Sequence, residues 1–191
     1  MRIIIILVNL LFFLNLAFCQ TEWYWQNPSP TENHLLSTFF VDDNTGWAVG
    51  QSGTIVKTTN GGTSWINQSS GLSNDINSVC FTDVNTGWAV GVQGGFIIKT
   101  TNGGTNWITQ SILGPDWLPS IFFTNNNTGW TVGLSGAIYK TTNGGEEWIT
   151  QTSGTNNPLL SVFFINSNTG WAAGNSGTIL KTSNGGTNWI A

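Results

Sequence analysis

Arginine occurs once in this 191-residue chain, at Arg2, and histidine once, at His34. Both scarcities exclude chemistry. A nucleophilic triad or an imidazole-based metal site needs a histidine with a set of partners, and bidentate capture of a carboxylate or phosphate needs arginine. Charged residues make up 7% of the chain, so no basic stripe is available for nucleic acid or anionic lipid. Helical periodicity is also missing: no stretch of ten residues places apolar side chains at helical spacing, which argues against a bundle or an α/β fold. No apolar run reaches the roughly 20 residues that a membrane-spanning helix requires.

The longest apolar run, Ile3 to Phe18, follows the positive start Met1-Arg2 and is interrupted by Asn9 and Asn15. It ends at Ala17-Phe18-Cys19 before Gln20, an A-x-C boundary, so residues 1–19 read as a cleaved signal peptide. A lipid anchor on Cys19 is the alternative, with bulky Phe18 where a small residue is expected. The mature protein is expected to be secreted, periplasmic or on the cell surface, without a transmembrane span. Cleavage removes the only arginine and leaves four lysines against nine acids, a formal charge of −5. Cys80 becomes the sole cysteine, so no intramolecular disulfide is possible in an oxidising compartment.

Repetition is what the sequence does have. Trp47, Trp88, Trp130 and Trp171 each stand in the frame N-T-G-W, 41 or 42 residues apart. Trp65, Trp107, Trp148 and Trp189 form a second series, and Lys57, Lys99, Lys140 and Lys181 a third, in the same register. Each unit reads as four short strands: S-x-F-F, then G-W-A-V-G, then T-I-V-K-T, then a strand that begins at the second tryptophan. The first strand is apolar at consecutive positions and so needs cover on both faces. Cys80 takes a place that is Phe in the other units and reads as a small core residue.

A period near 41 with four strands per unit points to an all-β protein, a β-propeller of four-stranded antiparallel blades; a solenoid is the competitor. The boundaries are 20–32 for an N-terminal outer strand, then repeats at 33–74, 75–115, 116–157 and 158–191, the last incomplete. Trp23-Tyr24-Trp25-Gln26 matches the fourth strands, while Trp189-Ile190 begins one in the last repeat. Four repeats with two such strands are expected to be part of a larger propeller of about seven blades.

Between third and fourth strands each unit carries T-x-N-x-G-x-x-W. The residues are Thr58, Asn60, Gly62 and Trp65; Thr100, Asn102, Gly104 and Trp107; Thr141, Asn143, Gly145 and Trp148; Thr182, Asn184, Gly186 and Trp189. Asn and Thr side chains can bond nearby backbone and glycine permits positive φ, so the motif reads as a structural turn. It resembles the Asp-box of BNR-type repeats, with Asn for Asp. The whole repeat is similar to the photosystem II stability and assembly factor family, which implies a seven-bladed propeller. The photosynthetic members present an arginine-rich patch to a membrane-protein client, and no arginine survives signal removal here. Sialidase activity, which needs an arginine cluster, is excluded for this chain on the same ground.

Candidate catalytic groups are few, and no catalytic residue, metal site or cofactor is assigned. Asp42-Asp43 lies in a turn and reads as a cap; Glu146-Glu147 lies at a hairpin tip. The lysines could form a ring of charge, or lay their stems along the blades with exposed ammonium groups. Two loop sets vary against the repeated framework. His34, Asp75, Trp117 and Pro158 precede the first strands, and Gln51, Gln93, Leu134 and Asn175 stand in the second-to-third turns. Trp117 belongs to neither tryptophan series and follows Gly114-Pro115-Asp116. The expected function is a non-catalytic binding module for a protein or glycan, with its site on the face these loops share. A glycan-active enzyme with catalytic residues outside this chain and a photosystem II assembly factor are the alternatives.

Overall fold

The computed structural model describes residues 29–92, 94–112 and 117–191. The expected signal peptide, the expected N-terminal outer strand at Trp23, Gln93 and Gly114-Pro115-Asp116 lie outside these residues. Four antiparallel sheets follow one another, each a simple meander. The first holds β1 (Leu35–Phe40), β2 (Gly46–Gly50), β3 (Thr54–Thr58) and β4 (Ile66–Ser69). The second holds β5 (Ile76–Phe81), β6 (Gly87–Gly91), β7 (Phe96–Thr100) and β8 (Ile108–Ile112). The third holds β9 (Ser120–Phe123), β10 (Gly129–Val132), β11 (Ile138–Thr141) and β12 (Ile149–Gln151). The fourth holds β13 (Leu159–Phe164), β14 (Gly170–Gly174) and β15 (Ile179–Thr182), with an isolated bridge from Lys181 to Ile190 on its outer edge. These are four blades of a β-propeller. The fourth strands start at the isoleucine after the tryptophan, one residue later than the sequence pattern suggests.

The consecutive apolar residues of the first strands have their physical reason in the blade stacking. In β5, Val79 and Phe81 pack toward blade one, where they join Trp47, Val49 and Ile55 in one buried cluster. Cys80 points the other way and joins Trp88, Val90, Ile121 and Phe123. The core therefore lies between blades and not within them, as sheets about 10 Å apart require. Burial pushes the Cys80 thiol up to about 11, which keeps it protonated and unreactive at neutral pH.

Aromatic geometry repeats at each junction. Trp47 stacks on Phe81 with ring centroids 3.5 Å apart, Trp88 on Phe123 at 3.6 Å and Trp130 on Phe164 at 3.6 Å. The edge of each phenylalanine meets the turn-motif tryptophan of its own blade: Phe81 with Trp107, Phe123 with Trp148 and Phe164 with Trp189, all near 5.8 Å. The second tryptophan series thus meets the first strand of its own blade at right angles to the phenylalanine ring. Such pairs contribute about 0.5–1.5 kcal/mol each beyond area burial.

Candidate interaction faces

Each blade has two loop ends. At one end lie the β1–β2 type turns and the T-x-N-x-G-x-x-W turns. At the other lie the second-to-third turns and the linkers between blades.

At the first end the Thr and Asn of the turn motifs and the leading Asp or Asn of the first turns are occupied by local structure. The Thr58 hydroxyl donates to Asn60 Oδ1 at 3.0 Å and accepts from Gly62 N at 2.9 Å, while Ser64 N donates to Asn60 Oδ1 at 2.9 Å. The same bonds recur around Thr100 and Asn102, Thr141 and Asn143, and Thr182 and Asn184. Asn in place of a carboxylate suffices because the acceptor serves backbone N–H groups. Asp42 Oδ1 accepts from Asn44 N and Thr45 N at 2.8 and 2.7 Å, and these bonds hold its carboxyl below the usual range. Asp83, Asn125 and Asn166 make the same pair in the other blades. Glu146 and Glu147 are exposed at the tip of their turn.

The lysine series forms neither a ring of charge nor a set of exposed ammonium groups at the inner junctions. Lys57 Nζ donates to Gly103 O in the next blade at 3.1 Å and lies 5.0 Å from the Trp47 ring centroid. Lys99 does the same with Gly144 O at 2.9 Å over Trp88. The indole N–H of Trp47, Trp88 and Trp130 donates to Gly103 O, Gly144 O and Gly185 O respectively. One carbonyl of the turn motif thus receives both long side chains of the preceding blade. Burial lowers the pKa of Lys57 and of Lys140; Lys140 Nζ also lies over the Trp130 ring. Sequence reading missed this clamp, although Trp47 and Lys57 stand in one register and are directly cross-strand partners.

Two clefts also lie at this end, between neighbouring first turns. One of about 660 Å³ runs between Thr82-Asp83 and Asn125-Asn126, and one of about 400 Å³ between Thr124-Asn125 and Asn166-Ser167. Thr82 and Asp83 both bond Asn126 across the first cleft. No sequence signal pointed to these clefts, because their walls are turn caps.

The second end holds the loop residues that vary between units, and the chain brings them together in pairs. His34 O accepts from Gln51 N at 2.9 Å and Pro158 O from Asn175 N at 2.9 Å. Asp75 O accepts from Val92 N, and its carboxylate reaches back to blade one to accept from Ser52 N at 3.0 Å. Trp117 forms a backbone bridge with Val92, followed by Leu118 N donating to Gly91 O. Leu134 opens the β10–β11 turn, where its carbonyl accepts from Ala137 N. His34 and Asn175 are exposed; Asp75, Trp117, Gln51 and Leu134 are half-buried. Linker and turn pair directly in blades one, two and four, whereas in blade three Trp117 bonds back to blade two and Leu134 bonds within its own turn.

The comparisons with known proteins agree with this architecture. A solved structure of YCF48 from Cyanidioschyzon merolae superposes with a TM-score of 0.69 at 26% identity, covering 85% of this chain and 57% of that one. A structure of YCF48 bound to a D1 peptide matches with a TM-score of 0.58 at 23% identity, covering 85% of this chain and 67% of that one. An ancestral GH74 enzyme matches with a TM-score of 0.69 at 24% identity over 89% of this chain but 26% of its own. The chain therefore spans little more than half of the first of these structures. No curated protein sequence matches it. The family model for photosynthesis system II assembly factor YCF48 matches residues 17–119 and 109–191. With four such blades and a family match running from residue 17 to its last residue, the chain belongs to the photosynthesis system II assembly factor YCF48 family.

Proposed function

We propose that the chain is an exported, non-catalytic binding module that engages a protein partner through the linker end of its blades. The observation that carries this reading is the contrast between the two ends. Turn-motif chemistry repeats blade after blade and serves local backbone, whereas the linker end sets different side chains on the same rigid scaffold. A fixed scaffold with varied loops is how propellers and other superfolds acquire sites. The YCF48 structure bound to a D1 peptide supports a protein, and not a small molecule, as the class of partner. The −5 charge after leader removal, with no arginine, favours a partner that is neutral or basic. The Asp42 and Asp83 carboxylates are held by turn N–H groups, which supports a binding role over glycan hydrolysis. Export rests on the apolar leader; among the described residues no helix is long and apolar enough to cross a membrane.

Trp117 is the expected anchor. Its backbone is fixed by Val92 and its indole is half-buried, so part of a large aromatic face is presented at low conformational cost. A partner is identified by pull-down from the native envelope, with a glycan array run in parallel, and its affinity is compared across variants. Trp117→Ala is expected to weaken binding about 30-fold, the scale of an interface hot spot, while Glu146→Ala on the opposite end changes it less than about twofold. Loss with Glu146→Ala alone, at unchanged folding, refutes the assignment of the face.

A further inference from the structure

We infer that the four Asn-Gly pairs of the turn motifs are deamidation sites that the folded blades hold shut, with aspartate the tolerated product and isoaspartate the damaging one. The chain's Asn-Gly pairs are Asn60-Gly61, Asn102-Gly103, Asn143-Gly144 and Asn184-Gly185, one in each blade. Glycine has no Cβ, so its backbone nitrogen can approach the preceding side chain with the least hindrance. In the reaction the glycine nitrogen attacks the asparagine Cγ, the Cγ–Nδ2 bond breaks, and ammonia leaves with the former amide proton. The succinimide so formed then adds water. Opening at Cγ gives aspartate, and opening at the backbone carbonyl gives isoaspartate, whose main chain is one methylene longer. One water is consumed and one ammonia released, with no oxidation.

In the folded blade both reacting groups are engaged. The attacking nitrogen donates its proton to a first-turn carbonyl of the same blade: Gly61 N to Asn44 O at 2.9 Å, Gly103 N to Asn85 O at 2.8 Å, Gly144 N to Asn127 O at 2.9 Å and Gly185 N to Asn168 O at 2.8 Å. Losing that proton forfeits the bond. The asparagine Oδ1 accepts from the motif threonine at 3.0 Å and from the backbone N–H four residues on at 2.9–3.0 Å in every blade. Ring closure has to release the side chain from both donors. Aspartate fits the same place, because a carboxylate supplies the same acceptor oxygen and bonds to a charged oxygen are stronger. Asn60 Nδ2 donates to Ser64 Oγ, a hydroxyl that can donate to a carboxylate instead. Isoaspartate does not fit, because it lengthens the chain immediately before the glycine whose carbonyl clamps the preceding blade. Gly103 O receives Trp47 Nε1 and Lys57 Nζ, Gly144 O receives Trp88 Nε1 and Lys99 Nζ, and Gly185 O receives Trp130 Nε1. The modification therefore acts on the junctions between blades.

The purified protein is held at mildly alkaline pH, native and in concentrated urea. The four sites are followed by proteolysis and mass spectrometry that separates aspartate from isoaspartate. The native protein is expected to convert at least roughly tenfold more slowly at each site, because reaction waits for local opening. Equal rates in the two states overturn the inference. Asn102→Asp should keep the wild-type midpoint of urea unfolding. Protein partly converted in urea is then refolded and briefly digested at sub-denaturing urea. Isoaspartate formed at Asn102, Asn143 and Asn184 should be enriched in the digested fraction, and aspartate formed there in the intact one. A lowered midpoint for Asn102→Asp, or an even split of the two products, overturns the assignment of which product is tolerated.

Discussion

Replacing Trp88 with alanine is expected to lower the free energy of unfolding by about 3–5 kcal/mol, the range for truncating a fully buried tryptophan. Trp88 is fully buried between blades two and three. Its ring stacks on Phe123 at an interplanar angle of 7°, lies under the Lys99 ammonium and donates its N–H to Gly144 O. Alanine removes the stacking partner and opens a cavity that neighbouring strands cannot collapse into, because each is held by sheet hydrogen bonds. It also strips Lys99 of its cation–π contact and leaves that ammonium half-buried on one carbonyl. The midpoint of urea unfolding reads the effect. Trp88→Phe should recover part of it by refilling the volume. A loss below about 1 kcal/mol for alanine would mean that the blades do not depend on this stack.

Gly91→Ala is expected to cost about 1–3 kcal/mol, the range for overpacking a filled site, and to weaken partner binding as well. A methyl on Gly91 would lie 2.0 Å from Asp75 O and 2.5 Å from the Phe96 ring. The carbonyl is backbone and cannot rotate away, so the linker before β5 must move. That linker holds the Val92 N–H through Asp75 O, and Val92 holds Trp117. One methyl group therefore disturbs both the junction and the proposed anchor. Urea unfolding and partner affinity should fall together, and a variant with unchanged stability would show that the linker has slack. The same close approach recurs at Gly50 on His34 O and at Gly174 on Pro158 O, both 2.0–2.1 Å.

The register of the blades was legible because three residue series keep one period. Trp47, Lys57 and Trp65 mark the second, third and fourth strands, and the Asn and Thr of the turn motif bond as their chemistry suggests. Cys80 was legible as a core residue because it stands where Phe39, Phe122 and Phe163 stand. What the period could not reveal is which contacts run within a blade and which run between blades. Lys57 looks like a surface lysine on its own strand; only the neighbouring blade supplies Gly103 O. The phenylalanine–tryptophan stacks are hidden for the same reason, since Trp47 and Phe81 belong to different repeats. The loop pairs at the linker end were legible in part: variation nominated His34 and Gln51 separately, and their hydrogen bond joins them. The clefts beside Asn125 were not legible, because a turn-capping Asn and a cleft wall look alike in sequence.

On the proposed function, one loop end meets the partner and the other builds the scaffold. Hydrogen exchange of the chain, free and saturated with its captured partner, tests it most directly. Slowed exchange is expected in peptides covering Ser52, Asp75, Val92, Leu118 and Asn175, with the turns at Asn60, Asn102, Asn143 and Asn184 unchanged. Protection confined to those turns, or to the clefts between Thr82 and Ser167, would contradict it.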